Sequence, residues 1–217
     1  MSFGFGDGAT DAADANAGGM RGVAVGVVTD NEDPEGLGRV RLEFPWRDAE
    51  DTSDWARIAA PMAGDGTGTY FLPEVGDEVL VAFENGDVRY PYVLGALWNG
   101  EDRPPAETEG DNDLRTIRSR SGHEITLDDD DREGRLTVRS AGGHEVVLDD
   151  STGSETITVT DSAGQEVLVV EATGTVTLGA GATLKLEAPM LELAADGNLT
   201  VEAGGVLTLK GALVKIN

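Results

Sequence analysis

Short pairs of aliphatic residues recur at a narrow, regular spacing through the second half of the chain. Successive pairs begin at Ile125, Leu136, Val146, Ile157, Val167, Val176, Leu184, Leu191, Leu199, Leu207 and Val214, so the interval shortens toward the C terminus. Three early copies start at Gly122, Gly143 and Gly164, at a constant interval. Because residues two apart in an extended chain share a face, each pair predicts a short strand with two apolar side chains pointing one way. So short a strand cannot bury these side chains by itself and needs further strands stacked on it.

Aromatic residues are confined to the first half of the chain. All three Trp and all three Tyr lie between Trp46 and Trp98, and no aromatic residue follows Trp98. Since bulky aromatic side chains usually fill globular cores, we do not expect the distal half to fold around a core of that kind. A single-chain parallel β-helix could fit the longer early period. Three chains wound about one axis also accommodate the shorter later interval, because each chain then shelters the others' apolar pairs.

The prediction is therefore an all-β protein whose residues 114–217 form an intertwined trimeric β-helix, a tapering needle. Its apolar interior is expected to comprise Ile125, Leu127, Leu136, Val138, Val146, Leu148, Ile157, Val159, Val167, Val169, Val176, Leu178, Leu184, Leu186, Leu191, Leu193, Leu199 and Val201.

The N-terminal half has the pattern of a small barrel. Val40, Leu42 and Phe44 alternate with charged residues, and five short strands are predicted between Val23 and Leu97. Asn85-Gly86 is a hairpin signal after one of them. We assign residues 21–100 to an OB-fold barrel, residues 1–20 to a flexible N-terminal arm and residues 101–113 to a polar linker.

The charge balance restricts the possible partners. The formal net charge is −25, from 41 acidic and 16 basic residues, so the surface repels nucleic-acid backbones and anionic lipids. An acidic excess with only three lysines is typical of halophilic proteins, although an ordinary acidic protein could share it. The chain lacks Cys, a long apolar run and the pattern of a secretory signal.

Two groups of residues are weak metal candidates. His123 and His144 occupy equivalent repeat positions on the side expected to face inward, where three copies could meet an ion. The third repeat has Gln165 there, which favours a hydrogen-bonded structural role instead. The four acids at 128–131 lack the ligand spacing of a calcium loop and are typical of a solvated turn.

No pattern indicates catalysis or a cofactor. The chain has no nucleophile elbow, phosphate loop or zinc-protease motif, so we expect no enzymatic activity. OB barrels can bind single-stranded nucleic acid through arginines and stacked aromatics, but the acidic excess argues against it here. The residues that such an interface would use are Arg39, Arg41, Arg47, Arg57, Arg89, Trp46, Trp55 and Tyr70.

These features together resemble the central spike family of contractile tails. The family includes the phage baseplate spike and the valine-glycine-repeat spike of type VI secretion and of extracellular injection systems. The resemblance is strongest over residues 71–87 and 91–100, which look like the family's OB domain, and over 115–125, which resemble the entry into the trimeric β-helix.

The resemblance implies a homotrimeric, cell-puncturing spike on the axis of a virion tail baseplate or an extracellular injection particle, assembled in the cytoplasm. Only a short arm precedes the barrel, so the hub that holds the tail tube is expected to be a separate trimeric protein. No lysozyme domain fits between barrel and needle. A conical tip protein of the PAAR type is expected to dock on Leu207, Leu209, Val214 and Ile216. The spike would touch the target envelope only on contraction.

A second interpretation remains open from the sequence. A secreted β-helical adhesin could combine the same repeat with an OB domain that binds glycan. Such a fibre is expected to end in a receptor-binding head, whereas this sequence ends within its repeat.

Overall fold

The computed structural model describes residues 20, 22–47, 52–107 and 110–216. They fall into two compact units that divide after Glu107. The residues assigned to the N-terminal arm before Met20 lie outside the described residues. Among the described residues, no helix has the length and apolar character needed to cross a bilayer.

The first unit contains a five-stranded sheet that curls into a barrel, together with a small separate hairpin. Its strands are β1 (Val23–Asp30), β2 (Arg41–Glu43), β3 (Arg57–Ile58), β4 (Ala63–Gly64), β5 (Thr67–Gly68), β6 (Glu78–Phe83) and β7 (Pro91–Ala96). The order in the sheet is β2-β1-β6-β7-β3. Strands β3 and β7 run parallel, and the other pairs are antiparallel. A bridge between Val40 and Ala56 joins the two edges and closes the sheet, so the predicted barrel is present.

The barrel core is aliphatic with a small aromatic component. Its fully buried side chains include Leu42, Val79 and Val93, and the Phe44 and Phe83 rings lie 5.5 Å apart between centroids. Buried and half-buried residues alternate along β6, as expected for a sheet with one face in the core and the other face toward solvent. Asn85, predicted as part of the β6–β7 turn, has a positive φ of 52°.

The hairpin β4–β5 lies in the Gly-rich loop after β3 and was not predicted. Its two strands pair only with each other. The flanking residues Met62 and Phe71 are exposed.

The second unit is a seven-stranded antiparallel meander. Its strands are β8 (Leu114–Arg118), β9 (Glu124–Asp128), β10 (Arg135–Arg139), β11 (Glu145–Asp149), β12 (Thr156–Thr160), β13 (Glu166–Glu171) and β14 (Val176–Leu178). Each strand pairs with the next one along the chain. The turns at one edge repeat the same geometry, because Gly122, Gly143 and Gly164 all have φ between 81° and 91°. This left-handed conformation explains why each early copy of the repeat begins with glycine.

Candidate functional site

The meander carries two unbroken rows of apolar side chains on one face. One row crosses all seven strands in the order Ile117, Ile125, Val138, Val146, Val159, Leu168 and Leu178. The second crosses six strands in the order Leu127, Leu136, Leu148, Ile157, Val170 and Val176. We call these two rows the apolar face.

The described residues of a single chain leave the apolar face uncovered. Ile125 is 40% exposed, Leu127 is 41% exposed and Ile157 is 42% exposed, although each lies inside the sheet. Contiguous exposed apolar surfaces of this kind mark interaction sites in soluble proteins.

The opposite face of the meander is polar. A central row of β-branched residues runs through Thr116, Thr126, Thr137, Val147, Thr158, Val169 and Thr177. Charged rows flank it, with cross-strand ion pairs such as Arg139–Glu145 at 2.6 Å and Arg118–Glu124 at 3.6 Å. This face is therefore compatible with exposure to water, whereas the opposite face presents only aliphatic rows.

One part of the predicted interior is wrong. Val169 lies opposite Thr158 and Thr177, on the polar face, whereas Leu168 and Val170 continue the apolar rows. The cause is a register shift between Val159 and Thr160, which inserts one extra residue into β13. Val167 sits at this bulge and lines a shallow cleft with Val146 and Val159, on the apolar side. Because four apolar residues follow one another in β13, the sequence pattern does not reveal which of their side chains lie on the apolar face.

The chain beyond β14 is extended but unpaired. Bends recur at 181–182, 189–190, 196–197, 204–205 and 212, and no described residue between 180 and 216 belongs to a strand. Within that described range, no backbone N–H donates to another backbone group. Exposed leucines continue at the predicted positions, with Leu193 at 64% and Leu199 at 60%. Backbone N–H and C=O groups in folded proteins are nearly always hydrogen-bonded. The segment therefore has the form of strands that lack their hydrogen-bonding partners.

The predicted docking residues for a tip protein are exposed as well. Ile216 is 87% exposed, Leu209 67%, Leu207 52% and Val214 50%. They lie on separate extended stretches either side of the bend at 212.

The two histidines lie in equivalent turns, each just before a strand. The N–H of His123 donates to Ser119 Oγ, and the N–H of His144 donates to Ser140 Oγ, both at 3.0 Å. His123 Nδ1 also accepts a hydrogen bond from the N–H of Ala141 in the next turn, at 3.2 Å. Neither histidine is buried in one chain, and among the described residues no three potential metal ligands cluster.

The acidic run at 128–131 includes a turn-forming residue. Asp130 accepts hydrogen bonds from the backbone N–H groups of Arg132 and Glu133, both at 2.8 Å, and these bonds lower the pKa of its carboxyl. Nearby, burial raises the pKa of Asp113, and the charges of neighbouring aspartates add to the effect.

Two of the arginines considered for nucleic-acid binding have carboxylate partners within the barrel. Arg39 binds Asp33 in a bidentate contact, with distances of 2.8 and 2.7 Å, and this bond holds the pKa of the Asp33 carboxyl well below its usual range. Arg89 pairs with Asp87 at 2.6 Å and lowers the pKa of that carboxyl to about 2.

The remaining arginines of this group lie over aromatic rings. Arg41 lies over Trp55 at 5.1 Å, Arg47 over Trp46 at 5.9 Å and Arg57 over Tyr92 at 4.9 Å. Cations already stacked in this way leave fewer open aromatic faces for bases than the sequence alone indicated. Tyr70, the last member of that set, is 74% exposed on the loop after β5.

Comparisons with known proteins agree with the barrel assignment. Residues 24–98 match the type VI secretion system/phage-baseplate injector OB domain. The type VI secretion system spike protein VgrG2a of Pseudomonas aeruginosa is 34% identical over 101 residues, which are 42% of this chain and 12% of that protein. The spike protein VgrG3 of Vibrio cholerae is 32% identical over 94 residues, 42% of this chain and 9% of that protein.

The actin cross-linking toxin VgrG1 of Vibrio cholerae is 36% identical over 72 residues, 31% of this chain and 7% of that protein. The chain thus spans about a tenth of the length of the relatives it matches. The barrel at residues 24–98 is therefore an OB domain of the type VI secretion system/phage-baseplate injector type, and it is similar to a region of type VI secretion spike proteins.

Proposed function

We propose that this chain is a homotrimeric, non-enzymatic puncturing spike at the centre of a contractile injection particle. The single observation that carries the proposal is the open apolar face, which continues into the unpaired extended segment after Gly179. The relationship of the barrel to type VI secretion spikes supports the same role.

Association of identical chains would satisfy both parts of the distal half. Three apolar faces turned toward one axis would bury the rows of β8–β14, while the threonine and charged rows would stay in water. The backbone groups of 180–216 would find partners in sister chains, as buried strands require. The short spacing between bends suits strands that turn a corner at regular intervals.

The mechanism of such a spike is mechanical. If the extended stretches of 180–216 pair with those of sister chains, no chain can be pulled out without breaking many hydrogen bonds together. The structure would then transmit force along its axis instead of unravelling. No step in this role requires a nucleophile, a metal or a cofactor.

The partners follow from the same resemblance. The barrel would dock on a separate trimeric hub on the tail-tube side. A PAAR-type cap would cover Leu207, Leu209, Val214 and Ile216, whose exposed side chains would otherwise remain in water. The particle would be assembled in the cytoplasm, in a baseplate or an injection device, and would meet the target envelope on contraction.

The mass in solution tests the proposal. Light scattering should give three times the chain mass of 22.7 kDa. A mass equal to that of one chain, or to that of a dimer, would contradict it.

Adjacent residues of β11 provide matched variants. Leu148 belongs to the apolar face and Val147 to the polar face. Leu148→Thr should therefore lower the trimer fraction on dilution, and Val147→Thr should leave it unchanged. Equal behaviour of the two variants would show that the apolar face is not the interface.

A further inference from the structure

The outer side of the barrel sheet is apolar at its centre. Side chains along β1 and β6 alternate between core and outside, and the outward positions include Val23 and Val25 on β1 and Leu80 and Ala82 on β6. Val23 is 55% exposed and Val25 37%, and Leu94, at the register shift in β7 beside Leu80, is 45% exposed. Strands with one face in water normally carry polar residues on that face, so this composition is typical of a sheet covered on both sides. We call these five residues the outer patch.

A second apolar surface belongs to loops at the two edges of the sheet. The loop between β1 and β2 and the hairpin β4–β5 after β3 line a groove with a volume of about 810 Å³. Leu37, Met62, Tyr70 and Phe71 line it, and all four are more than half exposed. Residues 58–73 contain a single charged residue, Asp65. We call this surface the hairpin groove.

Hydrogen bonds hold one wall of the hairpin groove in shape. The Asp33 carboxylate accepts hydrogen bonds from the N–H groups of Leu37 and Arg39, at 3.0 and 3.3 Å. The side-chain amide of Asn31 donates to the carbonyl of Pro73 at 3.0 Å. A surface that is ordered before binding loses little conformational entropy when a partner covers it.

The charge of the barrel indicates that the partner is a second copy of this chain. Residues 21–100 contain 15 acidic and six basic residues, so two copies repel each other over most of their surfaces. The outer patch has no charged side chain. Two carboxylates line the hairpin groove: Asp33, which binds Arg39, and Glu32, which is exposed to water. Copies can therefore meet at these two surfaces with little juxtaposition of like charges, whereas a basic partner would gain more from the acidic remainder of the barrel.

A threefold assembly needs two different surfaces on each copy. In a closed ring of three, every copy contacts one neighbour through one surface and the other neighbour through a second. The outer patch and the hairpin groove share no residue, and they come from the centre of the sheet and from its edge loops respectively. The barrel therefore carries the pair of surfaces that such a ring requires.

We propose that the barrels of three copies form a closed ring, in which the hairpin groove of one barrel contacts the outer patch of the next. The inference rests on the trimer proposed above and adds a second interface, within the barrels, to the one formed by the apolar face. Because the distal units tether the three barrels, a contact of low intrinsic affinity is sufficient to hold the ring.

The absence of Cys allows the contact to be trapped in the full-length chain. Val25→Cys places a thiol in the outer patch, and Met62→Cys places one at the hairpin groove. A short bismaleimide should join chains that carry both substitutions into dimers and trimers on a denaturing gel. Chains that carry either substitution alone should remain single, because each surface contacts the other one and not itself.

A charge placed in the hairpin groove should weaken the trapped contact. Phe71 is 67% exposed, so Phe71→Asp should leave the barrel folded, which Trp fluorescence during urea unfolding verifies. Added to the chain with both thiols, it should lower cross-linking at least several-fold, because a carboxylate would face apolar side chains of the next copy. Ser154→Asp adds the same charge to an exposed turn of the distal unit and should leave cross-linking unchanged.

Three results would overturn the ring: no cross-links between chains that carry both thiols, equal cross-linking of a single-thiol variant, or cross-linking that Phe71→Asp does not lower. The first result at a trimer mass would assign the two surfaces to a different protein. Light scattering on the same samples separates this inference from the spike proposal. A trimer mass without cross-links contradicts the ring alone, whereas a monomer mass contradicts both.

Discussion

Replacing Leu199 by Ala separates the proposed trimer from the isolated chain most sharply. In one chain Leu199 is 60% exposed, and such a truncation at an exposed site changes the free energy of unfolding by about 0.5 kcal/mol or less. If sister chains bury the side chain, the cost is about 2–5 kcal/mol per chain. Because a homotrimer carries three copies, the trimer would lose about 6–15 kcal/mol.

The distribution of Trp makes the measurement selective. All three Trp lie at or before Trp98, so Trp fluorescence reports on the barrel alone, whereas far-ultraviolet circular dichroism reports on both units. Urea unfolding of Leu199→Ala should therefore shift the circular-dichroism transition of the distal unit to lower urea. The Trp fluorescence transition should stay where it is in the wild type.

The neighbouring residue supplies the control. Thr200 is the polar residue between Leu199 and Val201, so Thr200→Ala should have little effect on either transition. A shift of the two variants by the same amount, or no shift at all for Leu199→Ala, would refute burial at this position and with it the intertwined needle.

Three further predictions concern turns, pH and salt. Gly143 has φ of 91°, so Gly143→Ala should destabilise the distal unit by about 1–2 kcal/mol in urea unfolding, while Gly142→Ala, without a positive φ, should change it by less than about 0.5 kcal/mol. The pKa of Asp33 is lowered by Arg39, so its contribution to stability is present at neutral pH and declines as pH falls below the ordinary value of 3.8. The barrel of Asp33→Asn should therefore lose less stability than the wild-type barrel when the pH is lowered from about 5 to about 2, as followed by Trp fluorescence. A variant whose stability falls with pH as steeply as that of the wild type would contradict this role. Because a net charge of −25 repels itself, the thermal midpoint should rise between about 0.1 M and 2 M salt, and equal midpoints would count against a halophilic adaptation.

The barrel could be predicted from local signals because its strands alternate cleanly. Val40, Leu42 and Phe44 are buried where alternation placed them, and the Asn85-Gly86 turn joins β6 to β7. The hairpin β4–β5 was missed, since two-residue strands rich in glycine carry no hydrophobic period. The bridge between Val40 and Ala56 is a non-local contact that no short window of sequence reveals.

The distal face was predicted for most strands and wrong at one. Alternation assigns Leu136 and Val138 to the apolar face without ambiguity, because the polar residue Thr137 separates them. In β13 every residue from Val167 to Val170 is apolar, so the pattern does not indicate which side chains share a face. The position of the bulge determines which of them join the apolar rows.

The division within the distal half also bears on how the proposed needle would assemble. Strands β8 to β14 pair with sequence neighbours, so they can form within one chain after closing only short loops. The segment 180–216 has no strand partner within its chain among the described residues, so its ordering entropy can be repaid only when sister chains are already close. Association through the apolar face of the meander would supply that proximity first. The shortening of the repeat toward the C terminus then coincides with the change from strands that fold alone to strands that fold only on assembly.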